Sequence, residues 1–302
     1  MNVLITGICG YIGQYLSNVL IKNDHKVFGI DLIENPSVRL IENLENYFCI
    51  DLSKNKPSVE IFKNIDVVIH LAGEASLKSK SDKFIDNNIN ATQNLIDSLD
   101  VYLKKFVFLS SIMVRDNNKY AESKLVSERI IRKSAKEKKI PYTILRSAVV
   151  YGIGMKSNIL HWLKKAYKNE IGSIPQSSSE LAMIGIDDLA RLIDACCKNV
   201  KSNNKTYQVS DGISYPINKL ELEARKLSNN PSEIAYYPKW SLYIGSKIGD
   251  MAGIVGLHMN LNSRSYNLFF KNKVEHSRAI FDDLCLRPKQ NFFDEMPDLF
   301  ED

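Results

Sequence analysis

Tyr120 and Lys124 stand four residues apart in Tyr120-Ala121-Glu122-Ser123-Lys124. On a helix that spacing puts a phenol and an ammonium on one face. A phenol with an ordinary pKa near ~10 is a poor base at neutral pH, so a neighbouring cation that favours the phenolate is what proton transfer requires. Ser111, nine residues before Tyr120 at the end of an apolar run, is a hydroxyl able to hold a reacting oxygen. A second group lies at the chain start, in Thr6-Gly7-Ile8-Cys9-Gly10-Tyr11-Ile12-Gly13. Its glycines are three residues apart: Gly7 allows a tight turn, Gly10 lets the backbone approach a pyrophosphate, and Gly13 lets the following helix pack closely. Asp31 follows Gly13 by eighteen residues, where a carboxylate accepts hydrogen bonds from an adenosine ribose. It repels a 2′-phosphate, and the neighbouring Leu32 supplies no arginine to attract one, so the expected cofactor is NAD and not NADP.

These groups need a frame that brings them together. Short β-branched runs at Val3–Thr6, Lys26–Asp31, Tyr47–Ile50, Val67–Leu71, Phe106–Ser110 and Tyr142–Arg146 alternate with helical spacing at Tyr11–Ile21, Phe84–Leu99 and Tyr120–Lys136. Apolar strands alternating with helices predict an α/β fold, a Rossmann-type doubly wound parallel sheet whose ligands bind at the carboxyl ends of the strands. Beyond Tyr151 the alternation fades. Ile171–Ser179 reads as a loop, Ile184–Cys197 as a short strand and a helix opened by Asp187 and Asp188, and Thr206–Val209 as one more strand. From Tyr215 on the chain reads as mostly helical. The expected division is a nucleotide-binding domain over 1–212, with a substrate-side insertion near 152–183, and a small, mostly helical C-terminal substrate domain over 213–302.

Forty Lys and Arg against 35 Asp and Glu leave a net charge of +5 on 302 residues, too little for a dedicated nucleic-acid binder. With 44% hydrophobic and 25% charged residues the chain is neither disordered nor disulfide-stapled. The five cysteines, Cys9, Cys49, Cys196, Cys197 and Cys285, show no CxxC spacing and read as buried, reduced thiols of a cytoplasmic protein. Met1–Gly7 enters a strand-like run with no basic leader, so no signal peptide is expected. Trp240–Met259 is interrupted by Lys247 and Asp250 and reads as a helix with one apolar face, packed over the core in preference to lying on a membrane surface; no membrane span is expected. His25, His161, His258 and His276 have no metal-ligand spacing, so no metal is expected, and His70 reads as a packed strand-end residue.

The order of these motifs resembles the extended short-chain dehydrogenase/reductases, the NAD-dependent epimerase/dehydratase family. It continues through Asp51-Leu52, His70-Leu71-Ala72-Gly73, Asn90-Ala91-Thr92-Gln93-Asn94-Leu95, Leu145-Arg146-Ser147, Val150-Tyr151-Gly152 and Ile186-Asp187-Asp188-Leu189-Ala190. Asp282-Asp283-Leu284 with Arg287-Pro288 is similar to the family's closing segment. The resemblance implies that Asp51 and Leu52 flank the adenine, that Leu71, Ala72 and Gly73 run under the cofactor, and that Asn90 lies near it. It implies cofactor contacts from Gly7, Gly10, Tyr11, Ile12, Gly13, Asp31, Tyr120 and Lys124, with Ser111, Tyr120 and Lys124 catalytic. It also implies a homodimer through the helices after the fourth and fifth strands.

Three departures bear on the reaction. Dehydratases of the family carry Thr-Asp-Glu where this chain has Ser111-Ile112-Met113, so the acid and base of water elimination are missing. The segment from Ser111 to Tyr120 is short. Leu181 stands where nucleotide-diphosphate binders often have arginine, and Ser147 where proline is usual; Arg225, Lys239 or Arg264 could neutralise a diphosphate instead. The expectation is an NAD-dependent sugar-nucleotide epimerase or reductase. The alternatives are a dehydrogenase or reductase of a small alcohol or ketone not linked to a nucleotide, and a non-catalytic NAD-sensing protein.

Overall fold

The computed structural model describes residues 1–74, 84–99, 102–171, 177, 179–228, 238–254, 261–270 and 278–301. Seven strands form one sheet: β1 (Asn2–Thr6), β2 (Lys26–Asp31), β3 (Asn46–Cys49), β4 (Val67–His70), β5 (Lys105–Ser111), β6 (Tyr142–Ser147) and β10 (Lys205–Val209). Their order is β10-β6-β5-β4-β1-β2-β3, with every neighbouring pair parallel. The chain runs outward from β1 through β2 to β3, then returns to β4 on the other side of β1. That reversal splays the connections apart at the carboxyl ends of β1 and β4 and leaves a crevice there.

The strands are apolar because both faces are covered. Val3, Leu4 and Ile5 of β1 and Val68 and Ile69 of β4 have no exposed surface. Leu4, Val68, Phe106, Phe108 and Ile144 form one cluster with Leu95, Ile96 and Ile131 from the helices of that face. These helices are α2 (Ala91–Asp97) and α3 (Lys119–Lys138); α1 (Tyr11–Lys22) and α5 (Ile186–Lys198) also belong to this unit and contact each other. A single helix over Phe84–Leu99 is expected from the apolar spacing, but Ile85–Asn90 forms a π-helical turn before α2 begins. This inserted geometry rotates the side chains that follow, which a 3.6-residue period does not register.

The chain divides into two compact units: Met1–Ala148, Ile186–Val209 and Ser277–Lys289 form the first, and Val149–Gly185, Ser210–His276 and Gln290–Asp302 the second. The units therefore interleave along the chain and do not meet at a single border near 212. Segment 149–185 goes with the second unit because β7 (Val149–Tyr151) pairs with β9 (Met183–Gly185), and β8 (Glu180–Leu181) pairs antiparallel with β11 (Tyr215–Pro216). The closing segment returns to the first unit, where Lys205 Nζ and Tyr207 OH both donate to Asp283 Oδ2, at 2.7 and 2.6 Å.

In the second unit α4 (Asn158–Tyr167) packs on α6 (Ile217–Lys226), and the buried Tyr151 and Tyr215 both donate to Asp211 Oδ2, at 3.3 and 2.6 Å. Helix α7 (Lys239–Ile254) packs against α8 (Ser263–Phe270) through its small residues: a Cβ on Gly245 would come within 2.7 Å of Leu261, one on Gly249 would collide with the Leu261 carbonyl, and Ser246 is buried. The large side chains Trp240, Ile244, Ile248 and Met251 are exposed, so the apolar stripe does not pack over a core as expected. The small residues allow close backbone approach, and the seam they make uses the opposite side of the helix. The cysteines also divide differently from the expectation. Cys196 and Cys197 are buried, Cys9 is half-buried, and Cys49 and Cys285 are exposed. Cys49 ends the edge strand β3, and Cys285 caps a short helix, α9 (Ala279–Leu284), in left-handed backbone.

Candidate active site

All of the expected catalytic and cofactor-binding residues lie in the first unit. The glycine loop leaves β1 in a turn that only glycine fits well. Gly7 has φ +73°, and a Cβ there would lie 2.7 Å from the Ala72 backbone nitrogen. Gly10 caps α1 and donates its N–H to the Gly7 carbonyl at 3.1 Å. A Cβ on Gly13 would collide with that same carbonyl and lie 2.7 Å from Ile8 Cα. Helix α1 begins at Tyr11 with no side-chain cap and no acidic residue in its first turn. An uncapped helix start of this kind, at the positive end of the helix dipole, suits an anion beside Tyr11 and Ile12. This uncapped helix start behind the glycine turn fits the pyrophosphate of a dinucleotide.

Asp31, at the end of β2, accepts from the Cys9 backbone N–H at 2.9 Å through Oδ2 and from the Leu32 N–H at 2.8 Å through Oδ1. It thus ties the middle of the glycine loop to the second strand and still has lone pairs for a ribose. Asp51 is locked from its own loop: Ser53 donates to Oδ1 through both N–H (3.0 Å) and hydroxyl (2.6 Å), and Lys54 Nζ lies 2.9 Å from Oδ2. These bonds, the Ser53 hydroxyl first, hold its carboxyl below the usual range. The next residue, Leu52, is buried, and its carbonyl accepts from Asn94 Nδ2 at 2.9 Å.

At the other end of the crevice, Ser111 closes β5, and Tyr120 and Lys124 face it from the first turns of α3. Asn118 starts this helix by accepting from the Ala121 N–H at 2.9 Å. Ser111 Oγ accepts from the Met113 N–H at 3.1 Å and lies near the Tyr120 phenol. Tyr120 is buried edge-on to Phe84, ring centroids 5.9 Å apart. Burial pushes its pKa up, and the nearby Ser111 hydroxyl works against that rise. Lys124 is buried too, donating to the Leu109 carbonyl at 3.3 Å with its Nζ 5.0 Å from the centre of the Phe108 ring. Burial lowers its pKa to about 8, against the pull of Glu128 upward. The group found to oppose burial at Tyr120 is thus the serine hydroxyl.

Beneath β5, Glu128 has no exposed surface and accepts from Ser110 Oγ at 2.7 Å, from Arg146 Nε and Nη2 at 2.9 and 2.8 Å, and from Arg132 Nη2 at 2.9 Å.

Leu71, Ala72 and Gly73 continue from β4 across the crevice. A Cβ on Gly73 would lie 3.4 Å from Lys124 Nζ and would collide with Asn88 Oδ1. Asn88, buried in the π-helical turn two residues before Asn90, is the site residue that sequence reasoning missed. Its Oδ1 accepts from the Glu74 N–H at 2.8 Å, and its Nδ2 donates to Ser123 Oγ at 2.9 Å; Ser123 in turn donates to the Tyr120 carbonyl at 2.7 Å. No motif in the sequence separates Asn88 from Asn87 and Asn90, because the π turn decides which of the three points inward.

Of the three cations named for a diphosphate, Arg225 is fully engaged within the second unit. It donates to Glu221 (2.9 Å), the Ala166 carbonyl (3.4 Å), Asn169 Oδ1 (3.1 Å) and the Ile171 carbonyl (2.9 Å). Lys239 is exposed, with its Nζ 5.1 Å from the Phe270 ring centre, and the side chain of Arg264 lies outside the described residues. Among the described residues no group of three His, Cys, Asp or Glu side chains is placed to hold a metal ion.

This arrangement has counterparts in known proteins. A UDP-glucose 4-epimerase from Vibrio cholerae is 25% identical over 284 residues, covering 84% of each chain. Protein CapI of Staphylococcus aureus is 28% identical over 258 residues, 71% of this chain and 75% of that one. Among solved structures, a UDP-glucose 4-epimerase from Thermotoga maritima with UDP-glucose superposes with a TM-score of 0.75 at 19% identity, covering 100% of this chain and 98% of that one. The UDP-glucuronic acid 4-epimerase from Bacillus cereus in complex with UDP-glucuronic acid and NAD gives 0.74 at 21% identity with the same coverage. At these identities the structural likeness speaks for the fold. The model of the NAD dependent epimerase/dehydratase family matches residues 3–210, which take in the glycine cradle, Asp31 and the Ser111, Tyr120 and Lys124 cluster, and the chain belongs to that family.

Proposed function

We propose that the chain is an NAD-dependent sugar-nucleotide epimerase or reductase. The observation that carries this reading is the cluster at the end of β5, a buried phenol near the Ser111 hydroxyl with a buried lysine beside the Gly73 loop. A relative that matches 84% of the chain is named a UDP-glucose 4-epimerase, which supports the same substrate class. When bound, NAD supplies the hydride acceptor and donor for a sugar carbon. Gly7, Gly10, Tyr11, Ile12 and Gly13 hold its pyrophosphate, and Asp31 its adenosine ribose. Asp51 and Leu52 would hold the adenine, and Leu71, Ala72 and Gly73, with Asn90 near them, would support the cofactor.

Tyr120 takes the proton of the sugar hydroxyl as that carbon is oxidised and returns it when the carbon is reduced. Ser111 donates to the reacting oxygen and favours the phenolate. Lys124 would hold the nicotinamide ribose of bound NAD and supply positive charge to favour the phenolate. Ile112 and Met113 offer no acid or base for elimination, so dehydration is not part of the proposal. Replacing Tyr120 with Phe lowers turnover of UDP-glucose, or of whichever nucleotide sugar is the substrate, by orders of magnitude and leaves NAD binding nearly intact. Unchanged turnover refutes the assignment.

The second reading, a small alcohol or ketone as substrate, is favoured by the engagement of Arg225 within its own unit. Calorimetry with UDP, GDP and dTDP decides between the two: binding of any one supports the nucleotide sugar, and binding of none supports the small alcohol. The proposal includes a homodimer through α2 and α3 and a cytoplasmic location; no helix among the described residues is long and apolar enough to cross a membrane.

A further inference from the structure

His70 has no exposed surface and is not within the proposed catalytic set, yet both of its ring nitrogens are bonded. Thr6 Oγ1 lies 2.7 Å from Nδ1 and itself accepts from the Ala72 N–H at 3.3 Å. Thr92 Oγ1 lies 3.0 Å from Nε2 and donates to the Asn88 carbonyl at 2.6 Å, so it must accept a proton from Nε2. The donors therefore fix one tautomer, with hydrogen on Nε2. Burial, and then the charge of Lys124, push the pKa of His70 down to about 3, which keeps the ring neutral. The ring also stacks on Phe108 at 5.5 Å, and the Lys124 ammonium lies over that same Phe108.

Read along the bonds, a one-way chain runs from Ala72 N–H through Thr6, His70 and Thr92 to the backbone carbonyl of Asn88, where Ser127 Oγ also donates at 3.0 Å. From Asn88 the side chain reaches back to Glu74 and across to Ser123, which holds the Tyr120 carbonyl. The circuit thus encloses Gly73 from both sides. It begins one residue before that glycine and returns one residue after it, and on the way it pins the π turn that aims Asn88 inward.

We infer that the Thr6–His70–Thr92 bridge is a positioning device for the cofactor: it sets the Leu71–Glu74 loop and the Asn88 turn against Lys124, with His70 as its tautomer-fixed centre. The inference rests on the cofactor site of the proposed function and concerns how that site is held. Alternatives with other donor geometry fail on simple grounds. A protonated ring would present a second donor to Thr6 and place charge beside Lys124, and an apolar residue would leave the Thr6 hydroxyl proton without its ring acceptor and the Thr92 oxygen without its ring donor.

The test is NAD affinity by titration calorimetry, with melting temperature in parallel, for His70→Leu, Thr92→Val, the double variant and His70→Gln. Each of the first two weakens NAD binding roughly tenfold, about the worth of one buried hydrogen bond. The double variant is no weaker than the weaker single variant, because both break one chain. Gln offers an acceptor and a donor at comparable separation, and it restores affinity to within about threefold of wild type. Wild-type NAD affinity in either single variant overturns the inference, whatever the melting temperature does, as do multiplying effects in the double variant or a His70→Gln affinity as poor as that of His70→Leu. These readings need no sugar substrate, so they stand apart from the turnover of Tyr120→Phe, on which the proposed function is judged.

Discussion

Replacing Lys124 with Met separates what the lysine does for chemistry from what it does to the fold. Its ammonium is buried, and burial lowers its pKa from 10.5 to about 8. Between those values the unfolded chain binds a proton that the folded chain has lost, so stability rises with pH across that window and is depressed below it. A drop of about 2.5 units at 1.36 kcal/mol each amounts to about 3 kcal/mol of stability withheld at pH 7. Met has a similar length, needs no hydrogen bond and packs well against an aromatic ring such as Phe108. Lys124→Met is therefore more stable than wild type at pH 7, by up to about 3 kcal/mol less whatever the bond to Leu109 and the contact with Phe108 contribute. The advantage shrinks by about 2 kcal/mol on going to pH 9.5, as the wild-type lysine gives up its proton. Urea unfolding of both proteins at pH 7 and pH 9.5 measures the gap. A gap that does not change with pH refutes the reasoning, since the lysine would then carry no buried charge.

Gly13→Ala places a methyl group where the Gly7 carbonyl and Ile8 Cα already are, so the loop must open and NAD affinity falls more than tenfold, read by calorimetry. Glu128→Gln leaves Arg146 and Arg132 without their buried anion and costs about 3–5 kcal/mol in denaturant unfolding. Burial raises the Glu128 pKa, but the bonds from Arg146, Ser110 and Arg132 outweigh it and hold the carboxyl low. Its contribution is thus present above the pKa of an unfolded glutamate and is lost as pH falls through the depressed folded value, so the variant shows a shallower acid-side loss of stability than wild type.

Residues whose placement follows from local backbone geometry were legible in the chain. The Gly7, Gly10 and Gly13 spacing, Asp31 at a strand end and the Tyr120 and Lys124 pair all depend on elements with strong periodic signals, and these elements form at nearly the expected residues. Cys49 and the face of α7 were less legible, since exposure depends on which strand ends at the sheet edge and which side of a helix meets its neighbour. Neither is written in local periodicity. The apolar spacing of Trp240, Ile244 and Ile248 is a helix signal either way. Only the partner helix shows that the packed side is the one with Gly245, Ser246 and Gly249.

Asn88 and His70 show a further limit of the same kind. Asn87, Asn88 and Asn90 are three asparagines within four residues, and an α-helix, with its 100° step, would aim each in a different direction. The π turn over Ile85–Asn90 changes that step, and the direction it selects is fixed from outside the segment, by the hydroxyl of Thr92 and the ring of His70. His70 in turn is oriented by Thr6, 64 residues earlier in the chain, on the strand that opens into the glycine loop. The inward asparagine is therefore a product of strand order: β1 and β4 must be neighbours before the bridge can form. The reversal in strand order that creates the crevice is also what brings Thr6 to His70, so the topology that opens the crevice also sets the side chain that turns inward beside Gly73.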